Sequence, residues 1–272
     1  MDAIICIYMR ESSTKTSLTA YAETAPLFTL HDLQRLYGPD IATTSLSTML
    51  YRLKRQGRVL TICPGVYRGA RSQVPLNRFA VPSRLREDAV IAFHSALEYA
   101  GLANQAFRTT CYLSTRPRRD VVFEQQTYHG VAPPRRLVKA RRLDMQVETA
   151  GDRIRITGRE RAFVDCLLHL EYSGGVAELD RCLAMFPSFD FAKALEYLKV
   201  LRHPWLYARA GFLLDRHAER LFFSGKWRDE FLRRKPRGVV YLDRKTPGLK
   251  WVPLWNLMVP AELARPDGGA QL

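Results

Sequence analysis

The stretch TTSLSTMLYRLKRQGRVLTICPGVYR, residues 43–68, decides the fold of this chain. In its first half Leu46, Met49, Leu50 and Leu53 fall at i, i+3, i+4 and i+7. That single apolar stripe predicts a helix over 43–56, closed by Gly57. In its second half two β-prone runs flank Pro64-Gly65, a pair suited to the central positions of a type II turn. A helix that runs directly into a Pro-Gly hairpin needs little else to become a DNA-binding unit.

The residues upstream supply it. Thr29 has the chemistry of an N-cap for a helix whose Leu30, Leu33 and Leu36 share one face and which Gly38-Pro39 ends. An earlier helix runs from about Thr16 to Glu23, and residues 1–13 read as a frayed or lightly docked extension. Three helices followed by a hairpin build a winged helix-turn-helix. The charge agrees. From Ile41 to Arg86 the chain has nine lysines and arginines and no aspartate or glutamate, within a whole-chain formal charge of +15. Polyanions are the natural partners of such a surface, because neutralised phosphates release condensed counterions.

A helical wheel over 43–56 places Thr44, Thr48, Tyr51 and Arg55 opposite the apolar stripe, with Ser47 and Arg52 beside them. Hydroxyls and arginines on an outward face suit a helix in the major groove. Arginine pairs bidentately with guanine, and Ser or Thr bonds phosphates or base edges. Lys54, Arg58, Arg68 and Arg71 are expected to grip phosphates, and Tyr67 to pack the hairpin onto the helix. Arg78, Arg84 and Arg86, beyond the hairpin, continue the positive surface.

A loop rich in Arg, Ser and Pro separates residues 1–75, the extension and winged helix-turn-helix, from 76–272. The second part is read as a helix over 85–100, strands at 109–114, 120–129 and 153–156, and a helix over 159–170 opened by a Thr157/Glu160 capping box. Helices follow near 177–185, 190–201 and 208–223, then strands at 239–242 and 249–252. Without a βαβ rhythm the class is α+β: an N-terminal winged helix-turn-helix followed by a larger mixed α/β domain. A second basic cluster (Arg135, Arg136, Lys139, Arg141 and Arg142) either extends the DNA footprint, binds RNA or an acidic protein surface, or is a solvated face. Arg116, Arg118 and Arg119 form a smaller group.

Catalytic and metal signatures are weak. Asp243-Arg244-Lys245 has the D-x-K pattern of some nucleases but lacks an upstream partner, and the six histidines have no metal spacing. Five scattered cysteines suggest neither a disulfide framework nor a zinc site, and fit a reducing cytoplasm. No segment has the apolar length of a membrane span or the form of a signal peptide. The expectation is a soluble, non-enzymatic, cytoplasmic DNA-binding protein with no cofactor and no metal. The alternatives are a metal-dependent nuclease delivered by the winged helix, and an RNA- or protein-interaction module using the basic C-terminal surface.

Several blocks carry a family resemblance: Phe28-Thr29-Leu30-His31-Asp32-Leu33 through Cys63-Pro64-Gly65-Val66-Tyr67-Arg68, then Ala92-Phe93-His94-Ser95-Ala96-Leu97-Glu98 with Gly101-Leu102. They continue in Ile156-Thr157-Gly158-Arg159-Glu160-Arg161-Ala162-Phe163-Val164-Asp165-Cys166-Leu167, and end in Val240-Tyr241-Leu242-Asp243 and Trp255-Asn256-Leu257-Met258-Val259-Pro260. In their order and spacing, over most of the chain, they resemble the AbiEi family of antitoxin transcriptional regulators from type IV abortive-infection toxin–antitoxin systems. The resemblance implies a C-terminal antitoxin domain and binding to inverted repeats in the chain's own promoter, with repression of the operon. It also implies neutralisation of a nucleotidyltransferase-like toxin without a stable complex. A monomer in solution that pairs on a two-fold operator fits this picture.

Overall fold

The computed structural model describes residues 17–38, 42–134, 137, 144–149 and 152–264. The N-terminal extension, the cluster Arg135, Arg136, Lys139, Arg141 and Arg142, and the polar tail from Arg265 lie outside the described residues. The class is α+β.

The N-terminal unit forms as its local signals direct. Helix α1 (Leu18–Thr24) is capped by the Ser17 hydroxyl, and β1 (Phe28–Thr29) leads into α2 (Leu30–Tyr37). Thr29 and Asp32 form a reciprocal capping box there, which satisfies two of the helix's orphan donors. Helix α3 (Thr43–Arg55) buries Leu46, Leu50 and Leu53. The hairpin β2 (Val59–Cys63) and β3 (Val66–Gly69) follows, and β1 adds to it in the order β1-β3-β2. Gly65 sits at φ 92°, as the third position of a type II turn requires. Ala22, Ala25, Phe28, Leu33 and Val59 close a small core around the buried face of α3.

The larger part is built on a six-stranded mixed sheet with strand order β6-β7-β5-β4-β9-β8. After α4 (Val81–Leu85) come β4 (Val90–Ile91), α5 (His94–Tyr99), β5 (Thr109–Leu113), β6 (Val121–Phe123), β7 (Gln126–Val131), β8 (Asp144–Thr149) and β9 (Asp152–Thr157). Helix α6 (Arg159–Leu168) follows, and every residue from Glu160 to Leu167 is buried, so it is a central helix rather than an amphipathic one. Helices α7 (Val176–Ala184), α8 (Phe191–Leu201), α9 (Pro204–Arg216), α10 (Ala218–Leu221) and α11 (Gly225–Arg234) complete the helical layer. A last sheet, β10 (Val240–Tyr241), β11 (Leu249–Val252) and β12 (Leu257–Pro260), is ordered β10-β12-β11.

Four sequence expectations fail here. The helix expected over 85–100 is broken, because Val90-Ile91 is the β4 strand, paired with β5 on one side and with β9 at Ile156 on the other. A short apolar run cannot be told from a buried helix by periodicity alone. Asp88, just before β4, accepts hydrogen bonds from Ser114 and Thr115 and pins the end of β5. The Thr157/Glu160 capping box is absent. Thr157 ends β9 and Gly158 is the N-cap, while the Glu160 carboxylate accepts from Arg159 Nε and from the Asp190 backbone. The strand expected over 120–129 is the hairpin β6–β7, and the helix over 208–223 begins at Pro204 and breaks at His217.

The two parts share apolar surface. Leu27, Ile62, Cys63 and Val66 of the N-terminal unit join the core of the larger part, so the inner side of the hairpin is covered by it. Arg84 adds a polar tie, with Nη1 on Asp32 at 3.4 Å and Nη2 on Asp152 at 3.0 Å.

Candidate nucleic-acid interface

The apolar stripe of α3 fixes which of its side chains face water. Thr44, Ser47, Thr48, Tyr51, Arg52, Lys54 and Arg55 are all exposed, and Tyr51 keeps 61% of its surface. The start of α3 has no side-chain cap and no acid in its first turn. Gln34 donates to the Thr43 hydroxyl at 2.8 Å and ties α2 to that end.

The rest of the acid-free stretch is less free than its sequence suggests. Arg58 and Arg71 both ion-pair with Glu23, a residue of α1 that is 4% exposed. Arg78 pairs with Glu98, and Arg84 with Asp32 and Asp152. Arg78 and Arg84 therefore do not continue the positive surface; they are internal ties. Arg68 is half-buried and donates to the Val74 carbonyl at 3.3 Å. Tyr67 packs its ring 5.7 Å from Phe28, on the edge strand β1.

One group absent from the expected site comes to it in space. Arg118 Nη1 lies 3.5 Å from Cys63 Sγ, so the loop between β5 and β6 abuts the hairpin turn. A cavity of about 540 Å³ between them is lined by Ile62, Cys63, Pro64, Arg86, Arg118, Arg119 and the acid Asp120 among others. Arg116 and Arg119 are exposed beside it. A separation of 55 residues hid this contact from sequence reasoning.

Other candidates resolve into structure. Asp243 accepts from Lys245 N at 2.9 Å and Thr246 Oγ1 at 3.1 Å, so its carboxylate closes a turn. A cavity of about 520 Å³ at the start of α6 is lined by Arg159, Glu160, Asp190 and Lys193 among others. These charges pair with one another: Arg159 with Glu160, Lys193 with Asp190. His94, Glu178 and Cys182 are buried together, close enough in space to consider a metal. Glu178 Oε1 already accepts from Asn104 N at 3.1 Å and Gln105 N at 3.0 Å, and Oε2 from Asn104 Nδ2 at 3.2 Å. Both carboxylate oxygens are already hydrogen-bonded, and the cluster works as a hydrogen-bonded hub.

Burial pushes the His94 imidazole below its ordinary 6.5, outweighing the Glu178 bond, which raises it. Facing a carboxylate, which accepts, Nε2 donates to Glu178 at 3.1 Å. A group whose folded value is depressed contributes stability above its unfolded value and loses it as the pH falls. Thermal melts should thus show a falling midpoint as the pH drops below about 6.5. His94→Gln should flatten that decline; an unchanged slope would remove His94 from the account.

Among the described residues, no helix is long and apolar enough to cross a membrane. No family matches the sequence, and no curated protein does. Among solved structures the chain is similar to the crystal structure of RV2827C protein from Mycobacterium tuberculosis. The TM-score is 0.58 at 16% identity, over 89% of each chain. At that identity the likeness bears on the fold alone.

Proposed function

We propose that this chain is a DNA-binding autorepressor and antitoxin. Its N-terminal unit is a winged helix-turn-helix, with α2 and α3 as the helix pair and β2–β3 as the wing. The observation that carries this reading is the outward face of α3, where Thr44, Ser47, Thr48, Tyr51, Arg52 and Arg55 stand exposed on a helix without an acid, next to the hairpin. Arg52 and Arg55 are placed to read guanine edges, and the hydroxyls to bond phosphates or bases. Lys54, Arg68 and the Arg116–Arg119 loop beside the wing grip the backbone. The targets are inverted repeats in the chain's own promoter, filled by two copies.

The antitoxin half of the reading rests on the AbiEi resemblance. It assigns the larger part to counteracting a nucleotidyltransferase-like toxin without a stable complex. The nuclease alternative is weakened by Asp243, whose carboxylate is engaged in a turn. No observation favours the RNA- or protein-interaction alternative.

The test is fluorescence anisotropy on promoter and scrambled duplexes across a salt series. With six to ten phosphate contacts, affinity should fall roughly 10³–10⁵-fold between 50 and 200 mM salt, with the promoter preferred. Equal affinity for both duplexes, or binding indifferent to salt, would refute the reading.

A further inference from the structure

Glu23 brings a carboxylate to the base of the wing. It lies in the last turn of α1, and its buried carboxylate meets both arginines that flank the hairpin. Arg58 Nη2 sits on Oε1, and Arg71 Nη1 on Oε2 at 3.3 Å. Arg58 immediately precedes β2, and Arg71 follows β3 by two residues. The main chain closes the same junction: Arg71 N donates to Glu23 O at 2.9 Å, and Ala70 N to Arg58 O at 3.0 Å. Gly69 permits the approach, since a Cβ there would lie 2.2 Å from the Glu23 carbonyl oxygen. Glu23 is thus fixed by backbone before its side chain does anything, and it offers one oxygen to each guanidinium.

Both guanidiniums keep an outer side, with 39% of the Arg58 side chain and 70% of that of Arg71 exposed. We propose that Glu23 is a positioning residue for DNA, holding Arg58 and Arg71 at the base of the wing so that their outer sides meet backbone phosphates. The inference rests on the DNA-binding reading above. Two long cations side by side repel and sample many rotamers. A shared carboxylate cancels the repulsion and settles the rotamers during folding, so that cost is not met again on binding. Glu23 lies outside the acid-free stretch, so the charge pattern from Ile41 to Arg86 does not reveal this arrangement.

The proposal makes a prediction opposite in sign to the one from charge. Glu23→Gln adds one net positive charge at the interface, so electrostatics alone predicts tighter binding to any DNA. Positioning predicts that promoter affinity falls about five- to tenfold while scrambled-duplex affinity changes less than about twofold. Glu23→Asp, which keeps the charge, should recover most of the loss. The measurement is anisotropy with the full chain on both duplexes, with circular-dichroism melts confirming the fold of each variant. Arg58→Gln and Arg71→Gln, tested separately, should each reduce the slope of log affinity against log salt by about 0.9. Tightening of both duplexes by Glu23→Gln overturns the proposal, as do unchanged slopes in the two arginine variants. If Glu23→Gln does not fold, the arginine slopes decide. Wild-type chain that fails to prefer its promoter would instead refute the DNA reading itself, so the two failures are distinct.

Discussion

Replacing Glu178 by alanine is expected to lower the stability of the fold by about 3–5 kcal/mol, because several charge-assisted bonds are lost together and buried donors are left behind. For a chain of this size that is a fall of roughly 6–20 °C in melting temperature. Glu178 is 2% exposed and lies in the first turn of α7. Its two oxygens accept from Asn104 N, Gln105 N, Asn104 Nδ2, His94 Nε2 and Cys182 Sγ. One side chain thereby ties α5, the loop after it and α7 into a single piece. The donors on the loop can turn to water once the carboxylate is gone, but His94 cannot. It is 2% exposed and its ring is stacked 4.1 Å from Phe107. Cys182→Ala, which removes a weak donor, should cost far less. Urea titrations followed by circular dichroism would read both. A loss within about 1 kcal/mol for Glu178→Ala would mean that water replaces the carboxylate and that the hub is not structural.

What the sequence made legible follows from the range of the interactions. The α3 helix and the β2–β3 hairpin are encoded locally: a 3.6-residue stripe and a turn pair suffice. The exposed face of α3 was therefore readable residue by residue. The charge around it was not. Counting acids within the stretch from Ile41 to Arg86 overlooks Glu23 and Asp32, which precede it, and Glu98 and Asp152, which follow it. Those four carboxylates engage Arg58, Arg71, Arg78 and Arg84, so that three of the five other cations of the stretch, Arg52, Lys54 and Arg55, lie on α3. Chain distance likewise concealed the β5–β6 loop at the hairpin turn and the Glu178 hub, whose His94 partner is 84 residues away. The β4 strand failed for a different reason. Two residues of strand, buried on both faces, have no period to read.

The placement of those three cations sharpens the expectation for α3 itself. Arg52→Ala and Arg55→Ala are each expected to cost about 1–3 kcal/mol on promoter DNA and little on scrambled duplex, since a guanidinium that pairs with guanine is felt only where the base is present. Arg68→Ala should weaken both duplexes alike. Its side chain is half-buried on β3 and tethered to the Val74 carbonyl, where it suits a phosphate better than a base edge. None of these changes should disturb the fold, because the core face of α3 is carried by Leu46, Leu50 and Leu53. The contrast between variants decides the outcome rather than any single loss. If Arg52→Ala, Arg55→Ala and Arg68→Ala weaken promoter and scrambled DNA equally, α3 lies along the phosphates and does not read sequence. If Tyr51→Ala alone collapses promoter preference, the aromatic between the arginines carries the readout, and the two guanidiniums only bring the helix to the groove.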